Sequence, residues 1–87
     1  MTGVFRAALD AIPEGYSEGW FDGRRYRIEK TVFTGGRSVK LVAQELGGRD
    51  YISLNHYRLD EGDKLKPCEM AEAKVRAFVT GLRRGPA

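Results

Sequence analysis

The spacing of hydrophobic positions changes twice along this chain. Between Gly3 and Ile12, the residues Phe5, Ala8, Leu9 and Ile12 recur at helical spacing and mark one face of a helix. Pro13 follows, and its ring blocks helix continuation while biasing the preceding residue toward extended geometry. The pattern predicts a short amphipathic helix over 3–12. From Tyr16 onward the period shortens to two. "YSEGWF", "RRYRIEKTVF", "RSVKLVAQEL" and "DYISLNHYRL" are rich in β-branched and aromatic residues, and Asp22-Gly23, Gly35-Gly36 and Gly47-Gly48 separate them. Such pairs supply the positive φ of tight hairpin turns, so the runs read as consecutive antiparallel strands. A fourth turn, Asp60 to Asp63, leaves room for a short fifth strand around Lys64 to Lys66. The meander over 16–66 therefore has four strands or five.

Helical spacing returns in "KPCEMAEAKVRAFVTGLRR". Ala71, Val75, Phe78 and Leu82 form a stripe, with Met70 and Val79 beside it. Pro67 suits a first helical turn, and Glu69 and Glu72 suit the positive end of the helix dipole. We expect a helix over 67–82 lying on one face of the sheet, then a basic tail over 83–87. The fold class is α+β: an antiparallel meander with a C-terminal helix on one face and a short N-terminal helix.

Alternation sorts the strand residues into two faces. Tyr26, Ile28, Val32, Val39, Leu41, Ala43, Ile52 and Leu54 fall on the face that the C-terminal helix is expected to cover. The opposite face collects Arg25, Arg27, Lys40, Tyr51 and Tyr57, with Trp20 as a further candidate and with Ser53 and Asn55 between them. Cations attract a phosphate backbone and aromatic rings stack on unpaired bases, so this combination points to single-stranded DNA or RNA. Phe33, Val42 and Glu29 share the face. They fit two other readings: an ordinary exposed sheet surface, or an interface with a second copy of the chain.

Composition narrows the classes. Eighty-seven residues make one domain, and 41% hydrophobic with 31% charged residues is a folding composition rather than a disordered one. No apolar run approaches the ~20 residues of a membrane span, and the N-terminal run has no cationic leader before a long apolar block, so neither a membrane location nor a secretory signal is expected. One cysteine and one histidine cannot form an intramolecular disulfide or a Cys/His zinc site, and a reducing, cytoplasmic compartment fits them. Nothing in the motifs implies a cofactor. The net charge of +3 permits an anionic partner and becomes informative only if the cations cluster. The two Gly-Gly-Arg triplets, 35–37 and 47–49, do not form one phosphate cradle. As turns at opposite ends of the third strand they stand roughly 30 Å apart.

Cys68 carries the alternative chemistry. At the start of a helix and beside Lys64 and Lys66, a thiol is activated by the amide dipoles and nearby cations. His56 is the single candidate base, and alternation places it on the helix side of the sheet. The plainer reading is a small packing residue.

Two resemblances add expectations. The rhythm of "GRRYRIEKTVF", "GGRSVKLVAQEL" and "YISLNHYRL" before a helix resembles the single-stranded DNA-binding folds of the positive-cofactor-four and Whirly type, over roughly 23–82. That resemblance implies a dimer gripping unpaired DNA on the outer sheet face. "GGRSVKLVAQELGGRDYISLNHYRL" with "LKPCEM" is similar to a family of small bacterial proteins, some labelled peptide methionine sulfoxide reductase. The Gly-Cys-Phe-Trp run of established reductases is absent, and under that label Cys68 is the residue implied as nucleophile.

Overall fold

The computed structural model describes residues 2–83. Helix α1 (Thr2–Ala11) precedes strands β1 (Gly15–Phe21), β2 (Arg24–Phe33), β3 (Ser38–Glu45), β4 (Tyr51–Leu59) and β5 (Gly62–Pro67), and helix α2 (Glu72–Gly81) follows them. The strands form one antiparallel sheet in the order β1-β2-β3-β4-β5, so every neighbour in sequence is a neighbour in space. The turn chemistry explains this. Asp22 and Gly23 both take positive φ, 53° and 75°, in the two-residue turn whose twist suits a hairpin. The Gly-Gly-Arg triplets flank the eight residues of β3, one at each end of the sheet.

Both helices lie on the same face. Phe5 and Leu9 of α1, Ile12 just past its end, and Val75, Phe78 and Val79 of α2 are buried against Tyr26, Ile28, Val39, Leu41, Ala43, Ile52 and Leu54. Phe78 meets the Tyr26 ring edge-on at 4.9 Å between centroids, and Phe21 completes the cluster at 5.3 Å from Phe78. The Tyr26 hydroxyl donates to Asp50 Oδ2 at 2.7 Å, and Lys74 Nζ donates to Asp50 Oδ1 at 2.6 Å, tying β2, the β3–β4 loop and α2 together. Burial, then the Asp50 hydrogen bond, pushes the Tyr26 phenol up to about 12. The Lys74 and Tyr26 hydrogen bonds hold the Asp50 carboxyl below its ordinary value.

Two boundaries differ from expectation. The fifth strand is longer than Lys64–Lys66, and α2 begins at Glu72 rather than Pro67. Pro67 is the last residue of β5, an edge strand that tolerates its missing N–H. The Cys68 N–H still bonds across to Ser53 O at 2.9 Å, and Glu69 then turns the chain at φ 60°. Ala71, expected in the helical stripe, is exposed at the N-cap.

After α2 the chain runs back along the free edge of β1. Trp20 N–H donates to Arg83 O at 2.6 Å, and Arg83 N–H donates to Trp20 O at 2.8 Å. This approach requires Gly19, because a Cβ there would stand 2.9 Å from Leu82 Cδ1 and 3.0 Å from the Arg83 carbonyl oxygen. Beyond Arg83, the expected basic tail lies outside the described residues. No helix among the described residues is long and apolar enough to cross a membrane.

Candidate binding face of the sheet

Because both helices pack on one side, the other side of all five strands stays uncovered. Antiparallel register lines its residues up in rows across the sheet. One row runs Glu18, Arg27, Gln44, Tyr51, and the next Tyr16, Glu29, Val42, Ser53. A third runs Thr31, Lys40, Asn55, Lys66, and a fourth Phe33, Ser38, Tyr57, Lys64. Trp20 stands opposite Arg25 at the rim. The five residues singled out from the sequence, Arg25, Arg27, Lys40, Tyr51 and Tyr57, therefore share this face. Four are exposed and Tyr57 is half-buried.

The two halves of the face differ electrostatically. On β1 and β2, Arg25 and Arg27 are balanced by Glu18 and Glu29. Arg25 is ion-paired with Glu18, which also accepts the Tyr16 hydroxyl. The Tyr16 hydrogen bond, then that of Arg25, keeps the Glu18 carboxyl below its ordinary value. On β3, β4 and β5 the outward side chains include Lys40, Lys64 and Lys66 and no carboxylate. No ion pair engages these lysines among the described residues, so their charge is free for a partner. Alternation on the two-sided strands β2 to β4 found part of this surface. Lys64 and Lys66 were missed because the fifth strand carries only one apolar inward residue, Leu65, and its register shows only once β4 has been paired with it.

The face also carries apolar area. Tyr51 is 44% exposed, Phe33 48% and Val42, on the central strand, 38%. Apolar and aromatic surface at the middle of an open sheet, rimmed by polar and cationic groups, is the composition of a contact surface.

The thiol proposal loses its geometry. Cys68 lies past the end of β5 and four residues before α2, so it is not in the first turn of the helix as expected. Its Sγ accepts from Asn55 Nδ2 at 3.6 Å, which places it beside the outer face. His56 points to the opposite face, is 2% exposed, and its Nε2 stands 3.3 Å from Asp63 Oδ2. The sheet itself separates the thiol from its only candidate base.

The helix side offers little space. A hollow of about 20 Å³, room for one water, is bordered by Phe5, His56, Asp63, Leu65 and Arg76. A second, of about 120 Å³ and mostly apolar, lies between the helices at Ala8, Ile12, Val79 and Leu82. Among the described residues no group of three or more His, Cys, Asp or Glu side chains could hold a metal ion. Comparison with protein-family models, with curated proteins and with solved structures gives no match.

Proposed function

We propose that this protein is a non-catalytic binding module whose uncovered sheet face takes single-stranded nucleic acid. The observation that carries the reading is the registered surface itself. Arg27, Lys40, Lys64 and Lys66 are interleaved with Tyr51 and Tyr57 on the side that neither helix covers. Lysines and arginines neutralise phosphates, exposed rings stack on unpaired bases, and an open sheet holds both in one plane. A folded duplex would not present its bases to these rings, which is why the single strand is favoured.

The test is fluorescence-anisotropy binding of labelled oligo(dT) and oligo(U) to the full chain. Binding is expected at low salt and weakens steeply between 50 and 200 mM, because counterions are released from the strand. Tyr51→Ala and Tyr57→Ala each remove about 1–3 kcal/mol, roughly 5- to 160-fold in affinity. Absence of binding at the lowest salt rejects the proposal. Self-association of the free protein, abolished by Val42→Asp with no oligonucleotide bound, would show instead that the face joins two copies.

A further inference from the structure

The face is not electrostatically uniform, and the asymmetry fixes how a strand would lie on it. Of its five cations, Arg25 is already ion-paired with Glu18, and Arg27 stands opposite that same carboxylate in the β1–β2 register. Glu29 is the next outward residue on Arg27's own strand, so a phosphate approaching β1 and β2 meets two carboxylates. Lys64 and Lys66 stand on β5, at the edge of the sheet, beside Tyr57 and Asn55 of β4. Lys40 flanks Asn55 from β3 on the other side. Between Lys40 and the rim, the interior of this half carries Gln44, Ser53 and Asn55 with the apolar Val42 among them, a neutral surface suited to bases rather than phosphates.

Resting on the single-strand reading above, we infer that the nucleic-acid backbone runs along the β5 edge, on Lys64 and Lys66, with its bases turned inward over β4. Tyr57 and Tyr51 are the stacking platforms. They are six residues apart on one strand, so the path between them is about 20 Å long. Asn55 lies midway. Its amide nitrogen is committed to the Cys68 sulfur, which leaves the amide oxygen to accept from a base. In this arrangement the charge of Arg25 belongs to the fold and not to the ligand.

Three variants separate these roles, measured with labelled oligo(dT) and oligo(U) across a salt series. Lys64→Ala with Lys66→Ala is expected to weaken binding at least tenfold at 50 mM salt. The same pair lowers the slope of log K against log salt by roughly 1.4, twice the single-strand value of ~0.7 per phosphate. Arg25→Ala is expected to change affinity less than twofold. Asn55→Ala is expected to leave the salt slope unchanged and to weaken both probes alike, because thymine and uracil offer the same N3–H donor to its amide oxygen. If the wild type binds but the lysine pair is silent while Arg25→Ala abolishes binding, the backbone lies on β1 and β2 and the inference is wrong. If the wild type does not bind at all, the parent reading fails with it, so the two failures are distinguishable. Circular dichroism checks folding of each variant, and Lys64→Arg with Lys66→Arg, which keeps the charge, is expected to restore the slope.

Discussion

The two helices rest on very different floors. Beneath α2 the sheet presents Tyr26 with Phe21, closed by Phe78, and the contacts are aromatic and dry. Beneath α1 the same face of the same sheet presents Lys30, His56, Arg58 and Asp63. Lys30 is 6% exposed, and its Nζ donates to Leu9 O at 2.8 Å and to Ile12 O at 2.7 Å. A buried cation thus meets the carbonyl end of the helix, where the dipole is negative and the last acceptors lack partners. The His56 ring lies tilted against Phe5 at 5.6 Å between centroids, Arg58 pairs with Asp10, and Arg6 approaches Asp63 at 3.8 Å. Both helices bury apolar side chains, but the aromatic cluster lies beneath α2, whose main polar tie to the sheet is Lys74 on Asp50, while several directed polar contacts gather beneath α1. The apolar kind of attachment tolerates changes of pH and salt; the polar kind depends on the protonation and completeness of each partner.

Truncating the dry floor should have the largest effect. Phe78→Ala leaves a cavity within the aromatic cluster and is expected to cost about 3–5 kcal/mol. For a domain of this size that approaches the whole stability, so the urea midpoint should fall toward zero. A loss below about 1.5 kcal/mol would mean that the two floors are more alike than their contacts suggest. Lys30→Met is the matched change on the polar floor. It removes two charge-assisted hydrogen bonds while keeping the aliphatic stem, and Leu9 O keeps only the Ile12 N–H at 3.2 Å. The expected cost is about 1–3 kcal/mol. Hydrogen exchange decides where the cost falls: α1 amides should lose protection well before those of α2. Equal loss in both helices would contradict the separate anchoring of α1.

Much of the architecture was legible because local signals agreed. Asp22-Gly23 set a hairpin turn, alternation in Arg24–Phe33 and Tyr51–Leu59 set the faces, and the Val75–Phe78–Val79 spacing set the buried side of α2. The parts that were not legible are those where long-range contacts decide. Lys30 interrupts the apolar series Tyr26, Ile28, Val32, and only the carbonyls at the end of α1 explain why a lysine is buried there. Pro67 fits both the first turn of a helix and the end of an edge strand. The choice was made by Ser53 O accepting the Cys68 N–H, a contact between residues distant in sequence. The same displacement removed the helix-dipole case for Cys68 and put the two β5 lysines on the uncovered sheet face. The pairing of Trp20 with Arg83, made possible by Gly19 beside it, left no trace in the periodicity.

The smallest effect in this comparison is one of pH, and it belongs to the polar floor alone. His56 is the only histidine, and burial lowers its pKa from the ordinary histidine value, against the opposing pull of Asp63. Arg58 and Arg6 press in the same direction as burial, and Asp10 opposes them. Its folded form therefore resists the proton that the unfolded chain accepts below about 6.5. The sign follows from linkage. The contribution is complete above the unfolded value and is lost as pH falls from there toward the lowered folded value, with a slope of at most about 1.4 kcal/mol per pH unit for one proton. Asp50 titrates in a more acidic window, since its pKa is lowered from that of an ordinary aspartate. Urea midpoints between pH 7.5 and 5 should decline for the wild type and stay level for His56→Phe, which keeps the ring against Phe5. Over that interval α1 amides should lose protection while α2 amides hold. A flat wild-type profile, or a decline that survives His56→Phe, would show that the floor beneath α1 is as indifferent to protons as the one beneath α2.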